Sequence, residues 1–403
     1  MPFASAISEH PVTAHATGEV AGQVLEKVGA APDLVVLFVT PPHAGALEDA
    51  AGAVRAILEP RTLVGCAAES VAGVNREVEG GPAVCLWGGS FGQVVPVGLD
   101  VAASSGLGSG AGEIEERREL AVTGWPDEVP FEPAALFLVA DPFTFPVEAF
   151  IDWVGQVHPS LPVIGGMASA ARGPGGNRLV LDSTVRVGGA VGAMLGPGVE
   201  LAAIVSQGCR PVGHPLAVTR AEGNVVYELG GQPALERLVD LARRELAERD
   251  VALINAGGLH LGRVIDEHKA EFGRGDFLVR NVIGADRAAG AIAVNDVVEL
   301  GTTVQFHLRD AVAADEDLRS MLDGRHADAA LMFTCNGRGT RLFGSPHHDA
   351  GALAETVGEI PMAGFFAAGE LGPVGGRNFL HGFTASIALL QEVDGRRQQE
   401  PAG

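Results

Sequence analysis

Polar and charged side chains follow two apolar runs in the C-terminal part of the chain. The first run, DAALMFT, ends before Cys335, Asn336 and Arg338, and a second run, PMAGFFAAG, ends before Glu370. An apolar run that stops at Gly and polar residues is typical of a buried strand that leads into a loop. A planar guanidinium donates two hydrogen bonds to a carboxylate, and a carboxylate receives an ammonium. Arg338 and Glu370 therefore predict a clamp for a zwitterion, unless the two side chains pair with each other and fix the loops.

Cys335 offers a second kind of chemistry in the same loop. A thiolate is favoured beside Arg338 and before a helix, which makes Cys335 a candidate nucleophile. His347, His348 and His381 are the candidate bases that lie nearest in the sequence. No nucleophile elbow or triad order accompanies the cysteine. The other interpretation is a small, half-buried residue at the end of a strand.

The glycine-rich segment GGMASAARGPGG (165–176) follows another apolar run. In a ligand-binding interpretation its backbone amides face an anion, Ser169 lies in the lining and Arg172 assists. In the alternative, the segment is a wide turn between strands. It lacks the Lys-Ser/Thr pair of a P-loop, so nucleotide binding is not expected.

No metal site is predicted from the sequence. His260, Asp266 and His268 lie close together, but their spacing matches no helical H-x-x-x-H face, so we expect a solvated loop. Haem would need an axial histidine, and none of the 12 histidines is singled out.

The composition excludes several classes of protein. Of 403 residues, 47% are hydrophobic and 19% are charged, which is typical of a globular chain with a large core. The net charge of −22 disfavours nucleic acid and anionic membrane surfaces as partners. The four cysteines are far apart, the N-terminus lacks a signal peptide pattern, and no apolar run is long enough to span a membrane. We therefore expect a cytoplasmic protein.

A strand–helix–strand pattern recurs along the chain. An apolar run at 34–40, a helical stripe and a run at 62–68 return in the same order between 134 and 169, and a looser third copy lies at 328–364. The spacing i, i+3, i+4, i+7 in each stripe is one face of a helix. The first two stripes consist of Leu47, Ala50, Ala51, Val54 and Ile57, and of Val147, Phe150, Ile151, Val154 and Val157.

The predicted fold class is α/β of the mixed α+β type, with sheets covered by helices. The N-terminal domain has two similar halves, and the C-terminal domain contains a related strand–helix–strand unit. Short apolar runs broken by Gly and Asp between these units predict antiparallel hairpins. The predicted boundaries are 30–222 for the N-terminal domain (repeats at about 34–101 and 134–208), 223–392 for the C-terminal domain, 106–112 for a flexible link and 393–403 for a disordered tail.

Several motifs occur in an order found in a known family. They are GGMASAARGPGG, SQGCRPVGHPLAVT, YELGGQPALERL, CNGRG, GFFAAGELGP and HGFTASIAL. In these motifs the chain resembles the FIST family, the F-box and intracellular signal transduction proteins, and in particular the stand-alone bacterial type with paired N- and C-terminal FIST domains. The resemblance implies a sensory module that binds small ligands, with amino acids or related metabolites as the ligand class. Some members are linked to haem and nitric oxide.

The resemblance also implies roles for particular residues. It carries a Cys-x-x-Arg turn onto Cys335 and Arg338, a Gly-Glu pair onto Glu370, and a following threonine onto Thr384. Many members have Asn before that threonine, whereas this chain has a His-Gly-Phe segment that begins at His381. No kinase, methyl-accepting or F-box segment is recognised, so the chain is expected either to signal through a separate partner or not to signal at all. The expected function is small-molecule binding that signals through a separate partner.

We expect the pocket to lie between the two domains. The predicted lining consists of Cys335, Asn336, Arg338, Glu370, Arg377, His381 and Thr384, together with Ser169 and Arg172. Three alternatives remain open. They are a Cys335-dependent enzyme that acts on an amide, ester or thioester, a haem-linked gas sensor, and an adaptor with a protein-facing surface.

Overall fold

The computed structural model of the chain describes residues 2–103 and 120–393. The predicted link at 106–112 and residues 394–403 of the predicted tail lie outside the described residues. The chain forms two compact units. The first comprises Met1–Val205, Leu322–Leu380 and Ala385–Gly403, and the second comprises Ser206–Met321 and His381–Thr384. These units cut the chain at other places than the predicted domain boundaries, which stay a prediction.

Strands are the commoner element in the described residues. They are β1 (Phe3–Ser8), β2 (Leu34–Val39), β3 (Thr62–Ala67), β4 (Ser70–Gly73), β5 (Arg76–Glu79), β6 (Val84–Gly89), β7 (Val94–Ala103), β8 (Leu120–Thr123), β9 (Ala135–Ala140), β10 (Val163–Met167), β11 (Leu179–Leu181), β12 (Thr184–Arg186), β13 (Ala190–Leu195), β14 (Val199–Gln207), β15 (Cys209–Glu222), β16 (Val225–Leu229), β17 (Gln232–Pro233), β18 (Leu259–Val264), β19 (Phe277–Asp286), β20 (Ala291–Val294), β21 (Thr303–Arg309), β22 (Ala329–Cys335), β23 (Met362–Ala367), β24 (Glu370–Val374), β25 (Arg377–His381) and β26 (Thr384–Glu392).

Helices lie between these strands. They are α1 (Thr13–Val28), α2 (Pro41–Ala44), α3 (Leu47–Leu58), α4 (Val147–Val157), α5 (Ala234–Arg244), α6 (Glu248–Asn255), α7 (Ala311–Leu322), α8 (Thr340–Phe343) and α9 (His348–Thr356).

The predicted strand–helix–strand repeats are confirmed. They are β2-α3-β3, β9-α4-β10 and β22-α9-β23, and in each the two strands pair in parallel. All residues of these strands are buried, because a parallel pair is covered on both faces. Each repeat lies in its own sheet. The strand orders are β1-β6-β2-β3-β11-β12, β25-β24-β10-β9-β13-β7-β8 and β14-β26-β22-β23-β4-β5.

Three glycines occupy the same place in the three repeats. Gly65, Gly165 and Gly364 each lie on the second strand, and a Cβ atom there would come within 2.0, 1.8 and 1.7 Å of a carbonyl oxygen of the first strand. Gly165 also has a φ of +142°, which L side chains rarely adopt. The shared position of these glycines therefore has a steric cause, since the parallel strands approach too closely for any side chain.

The predicted helical stripes are right except at their last position. Ile57 and Val157 are 37% and 46% exposed, whereas Leu58 is fully buried. With 3.6 residues per turn, a residue ten positions after the start of the stripe lies about a quarter turn off the face, and one eleven positions after it returns. The buried face of α3 therefore runs from Leu47 to Leu58.

The core of the first unit lies where the three repeats meet. Phe137 packs on Phe333 with ring centroids 5.8 Å apart, and Phe333 packs on Phe365 at 5.4 Å. Phe38 closes the group at 4.9 Å from Phe365. Each repeat thus contributes at least one phenylalanine to one shared cluster, while α1, α3 and α4 cover the opposite faces of their sheets.

The second unit is built on an antiparallel sheet that closes on itself. Its order is β15-β21-β18-β19-β20-β16-β17, and β15 also pairs with β16, so six strands form a ring. Apolar side chains such as Leu261, Phe306 and Ile292 fill one side of this sheet. The antiparallel hairpins predicted between the repeats include that of β19 and β20.

Candidate functional site

Loops from all three repeats converge at the carboxyl ends of their parallel strands. The amide of Asn336, after β22, donates to Ala367 O at 2.9 Å, after β23. The amide of Met167, at the end of β10, donates to Gly369 O at 2.8 Å. Glu370 pairs with Gly166 in the antiparallel register of β24 and β10. The carboxyl ends of parallel strands are where ligands usually bind in α/β proteins, so this convergence is the candidate site.

Ser169 joins the three repeats at this site. Its hydroxyl accepts a hydrogen bond from the amide of Glu69 at 2.9 Å and donates to the carbonyl oxygen of Phe366. Glu69 and Ser169 are 100 residues apart and occupy equivalent positions in the first two repeats. Ser169 is only 9% exposed, so its role in this structure is to hold the converging loops together.

Arg338 is held in a two-point ion pair inside the site. Its Nε lies 2.7 Å from Asp349 Oδ2 and its Nη2 lies 2.8 Å from Oδ1. Thr334 Oγ1 also donates to Asp349 Oδ2, and the guanidinium carbon lies 5.2 Å from the ring centre of Phe343. Both charged side chains are 1% exposed. The predicted pairing of Arg338 with Glu370 is therefore not the principal contact of the guanidinium, because Asp349 takes that place.

One nitrogen of Arg338 is left over from this arrangement. Nη1 is buried and has no hydrogen-bond partner among the described residues. Burial alone would lower the pKa of Arg338, but the negative charge and hydrogen bonds of Asp349, with smaller effects of Cys335 and Glu370, raise it on balance. The guanidinium is therefore a permanently charged donor with one unused face.

Glu77 caps the start of α9 beside the ion pair. Its Oε1 accepts the backbone amides of Asp349 and Ala350, each at 3.0 Å. Its side chain is buried, and burial together with the nearby charge of Asp349 raises the pKa of Glu77 to about 8. For Asp349, burial would raise the pKa, but the charge of Arg338 holds it below the usual range. Glu77 is thus the neutral carboxyl of the pair at neutral pH.

Glu370 is fully buried at the first position of β24. Its charge contributes to raising the pKa of Arg338, which requires that the two side chains lie near each other. The joint role of these two charges in a ligand site stays a prediction. Arg338 lines none of three cavities of about 720, 440 and 160 Å³ found in the described residues.

Cys335 lies at the end of β22 and is 8% exposed. Its sulfur accepts a hydrogen bond from the amide of Gly337 at 3.4 Å, and its charge contributes to raising the pKa of Arg338. Burial raises the pKa of Cys66, and raises that of Cys85 to about 12, so these two thiols are unreactive. Cys335 differs from them in being 8% exposed, whereas Cys66 and Cys85 are fully buried.

The loop at 335–341 is fastened by two glutamates. Arg341 Nη2 lies 2.5 Å from Glu69 Oε1, and Arg341 also donates to Asn336 O at 2.8 Å. Thr340 donates through its amide and its hydroxyl to Glu79. Gly339, directly before Thr340, has a φ of +59°, and a Cβ atom at this position would lie 2.7 Å from the Glu79 carboxylate. Surface contacts of this kind contribute about 0–1 kcal/mol each.

Four further residues were predicted to line the site. Arg172 is exposed on its loop, and Arg377 is exposed on β25, where it stacks over Phe379 at 5.4 Å. His381 and Thr384 are buried and belong to the second unit. The inclusion of these four residues in the site stays a prediction.

Two of the candidate bases for Cys335 have other partners. His347 Nδ1 accepts the amide of Glu77 at 2.9 Å. His348 Nδ1 lies 3.0 Å from Asp349 Oδ1, and its ring stacks on Phe343. In the second unit, the expected solvated loop agrees with the exposed Asp266 and His268 but is wrong for His260, which is buried on strand β18.

No group of three or more metal-ligating side chains occurs in the part of the chain that the structure describes. The haem alternative stays a prediction.

Sequence reasoning missed Asp349 and Glu77, which complete the charged cluster. Asp349 follows two histidines at the start of a predicted helix, where an acidic residue is also expected as a cap. Glu77 lies on β5, far from Arg338 in the sequence, and only the fold brings it close. The one local signal for the ion pair was that Asp349 lies only eleven residues after Arg338 in the sequence.

Comparison with known proteins places the chain among its relatives. The family model of the FIST N domain matches residues 33–232, and that of the FIST C domain matches residues 234–373. The chain belongs to the FIST family. FIST domains are sensory domains of signal transduction, so the converging loops described above lie in a sensory protein.

Curated FIST relatives extend over nearly the whole chain. The uncharacterized protein Mb0898c of Mycobacterium bovis is 42% identical over 388 residues, which cover 94% of this chain and 96% of that protein. The uncharacterized protein Rv0628c of Mycobacterium tuberculosis is 41% identical over 391 residues, or 95% and 98% of the two chains. No helix in the described residues of this FIST protein is long and apolar enough to cross a membrane.

Proposed function

We propose that this FIST protein senses a small carboxylate-bearing metabolite, such as an amino acid, at the loops around Arg338. The observation that carries the proposal is the unpartnered Nη1 of a guanidinium that is 1% exposed. A buried donor without an acceptor costs about 1–3 kcal/mol, and more when it is charged. A ligand carboxylate that binds Nη1 recovers this free energy.

The buried ion pair gives the ligand a fixed partner. Asp349 holds Nε and Nη2 of Arg338, so the plane of the guanidinium is set before the ligand arrives. A donor that is already oriented loses less conformational entropy on binding. Glu370 lies near the same guanidinium and supplies the negative charge that an ammonium group needs.

Ligand entry requires the 335–341 loop to move. Arg338 lines none of the three cavities described above, and the loop is fastened from outside by the contacts of Glu69 and Glu79. These exposed contacts are weak, so the loop can open at a small cost in free energy. Closure over a ligand would change the surface that Arg341 and Thr340 present.

This change of surface is the signal in our proposal. A separate protein detects the ligand-bound state by binding the closed loop. In this proposal the FIST protein and its partner are both cytoplasmic. All four cysteines are free thiols in the structure, in keeping with a reducing compartment.

Thermal denaturation with a panel of matched ligands tests the proposal. We expect alanine, glutamate or another small amino acid to raise the melting temperature, while ethylamine, which lacks the carboxylate of alanine, does not. The Arg338→Lys variant keeps the charge but loses the planar fork, so its ligand-induced shift should fall to near zero. The matched control is Arg61→Lys, which changes an exposed arginine far from Arg338 in the sequence. Equal shifts in both variants would contradict the proposal.

A second candidate function rests on Cys335. The amide of Gly337 and the guanidinium of Arg338 both favour its thiolate, which supports a nucleophile for an amide, ester or thioester. Rapid alkylation of one cysteine by iodoacetamide at neutral pH, lost in Cys335→Ser, would support this enzyme. Slow alkylation at all four cysteines would contradict this enzyme and leave the sensory function as the remaining candidate.

A further inference from the structure

A cavity of about 720 Å³ in the first unit lies outside the site described above. Its walls come from the segment between β8 and β9, from the end of α4 and from β13. Leu161 and Met194 are buried, at 5% and 1% exposure, and form its apolar base. The volume falls in the range of about 300–1,000 Å³ that is typical of small-molecule sites.

Trp125 provides an aromatic wall that is firmly held. Its ring stacks on His158 with centroids 5.3 Å apart and meets Trp153 edge to face at 5.0 Å. Phe150 lies 6.1 Å away on the buried side. Such packing fixes the indole before any ligand arrives, so binding needs little rearrangement of the wall.

Prolines make the rim of the cavity stiff. Pro126, Pro133 and Pro159 all line it, and each has a φ angle fixed by its ring. The backbone at these three lining positions therefore has few alternative conformations. A preformed rim is expected of a binding site more than of a gap left by loose packing.

The charges in the lining have one sign. Asp127 and Glu132 line the cavity, and no Lys or Arg is among the side chains that form this part of the described structure. Both carboxylates are exposed at the opening, whereas the base is apolar. The chain as a whole carries a net charge of −22, which concentrates cations near its surface.

We propose that this cavity binds a small organic cation, namely a protonated amine on an apolar body. The apolar body would pack on Leu161, Met194 and the wall of Trp125. The ammonium would lie at the opening between Asp127 and Glu132, where the indole face also attracts a cation. This ligand differs in charge from the carboxylate proposed for Arg338, so the two sites are tested independently.

Fluorescence titration with three probes of one shape tests the proposal. They are 2-phenylethylamine, neutral 2-phenylethanol and anionic phenylacetate, added to the full chain. We expect saturable quenching by the amine, weaker binding of the alcohol, and no binding of the acid. The affinity for the amine should fall as salt is added, because the carboxylates are exposed.

Variants of the two carboxylates locate the site. Asp127→Asn and Glu132→Gln should each weaken amine binding about two- to fivefold, and the double variant more. Glu128→Gln removes the same charge from the neighbouring exposed residue, which does not line the cavity, and should leave the affinity unchanged. All three side chains are exposed and are replaced by isosteric amides, so folding should be preserved.

Several outcomes would overturn the proposal. They are equal binding of the alcohol or the acid, the absence of saturable binding at millimolar amine, or equal affinities in Asp127→Asn, Glu132→Gln and the control. Sedimentation that shows a dimer, which Trp125→Phe dissociates, would assign the cavity to contact between two copies of the chain instead.

Discussion

The carboxylate of Asp349 holds Arg338 through two hydrogen bonds of 2.7 and 2.8 Å in a setting where both side chains are 1% exposed. This ion pair joins the loop after β22 to the start of α9, within the third repeat. It leaves Nη1 of Arg338 without a partner among the described residues. The pair therefore has a structural role in the fold and a positioning role in the proposed site.

Loss of the Asp349 charge should destabilise the first unit strongly. Asp349→Asn leaves a buried guanidinium without its counter-ion, which typically costs about 3–5 kcal/mol. Glu9→Gln breaks the exposed pair of Glu9 with Arg76 and should cost less than about 1 kcal/mol. The three tryptophans all lie in the first unit, so urea unfolding followed by their fluorescence measures both values. Similar losses in both variants would contradict a buried pair.

Ionisation of Glu77 should lower the free energy of unfolding as the pH rises. Its pKa is raised from 4.5 to about 8 in the folded chain, so the folded state keeps a proton that the unfolded state releases. The contribution of Glu77 is therefore fully present below about pH 4.5 and is lost as the pH rises toward 8, at about 1.4 kcal/mol per unit.

Glu77→Gln tests this dependence, because glutamine keeps the acceptor oxygen and cannot ionise. Relative to wild type, we expect Glu77→Gln to gain on the order of a few kcal/mol between pH 5.5 and pH 8.5. Glu79→Gln makes the same change of charge on the same strand and is the control. Parallel pH profiles of wild type and Glu77→Gln in urea unfolding would show that this carboxyl ionises normally.

The three repeat glycines should tolerate no side chain. Gly65→Ala, Gly165→Ala and Gly364→Ala place a Cβ atom within about 2 Å of a carbonyl oxygen, so we expect losses of several kcal/mol or no soluble protein. Gly165→Ala should be the worst because of its positive φ.

Each repeat also contains a glycine in its helix that serves as a matched control. Gly52, Gly155 and Gly351 have no atom within 4 Å of a built Cβ. Their replacement by alanine should raise stability by about 0.5–1 kcal/mol. Equal effects at strand and helix glycines would contradict the close approach of the parallel strands.

The second unit should lose stability in acid. His260 and His307 face each other on β18 and β21, and burial lowers the pKa of each to about 4. The folded state therefore stays neutral while the unfolded state takes up protons. The stability that these histidines allow is present above about pH 6.5 and is lost as the pH falls toward 4.

Hydrogen exchange of the β18 and β21 amides measures this loss. His307→Gln removes one titrating group and should flatten the loss of protection between pH 6.5 and 4. His326→Gln, an exposed histidine, should not. Identical profiles in wild type and His307→Gln would show that His307 does not titrate with folding.

The sequence predicted the fold well wherever the signal was local. Apolar runs and stripes located the three repeats along the chain. The last position of each stripe was wrong: in α3 Leu58 is buried in place of Ile57, and in α4 the buried face ends at Val154. The local pattern could not resolve which side of the helix turns inward at its last residue.

The candidate site was predicted only in part for a different reason. Arg338 and Glu370 were identified by type and position, and both are buried near each other. Their partners Asp349 and Glu77 were missed, because β5 reaches α9 only through the packing of separate repeats. Long-range contacts of this kind leave no periodic trace in one sequence.

Native mass spectrometry of the protein purified from its own host tests the proposed sensing of a small metabolite most directly. We predict a non-covalent adduct of a small acid on the wild-type chain, retained by Arg61→Lys and absent from Arg338→Lys. A bare mass in all three proteins, or an adduct that Arg338→Lys retains, would contradict a ligand held by Nη1 of Arg338.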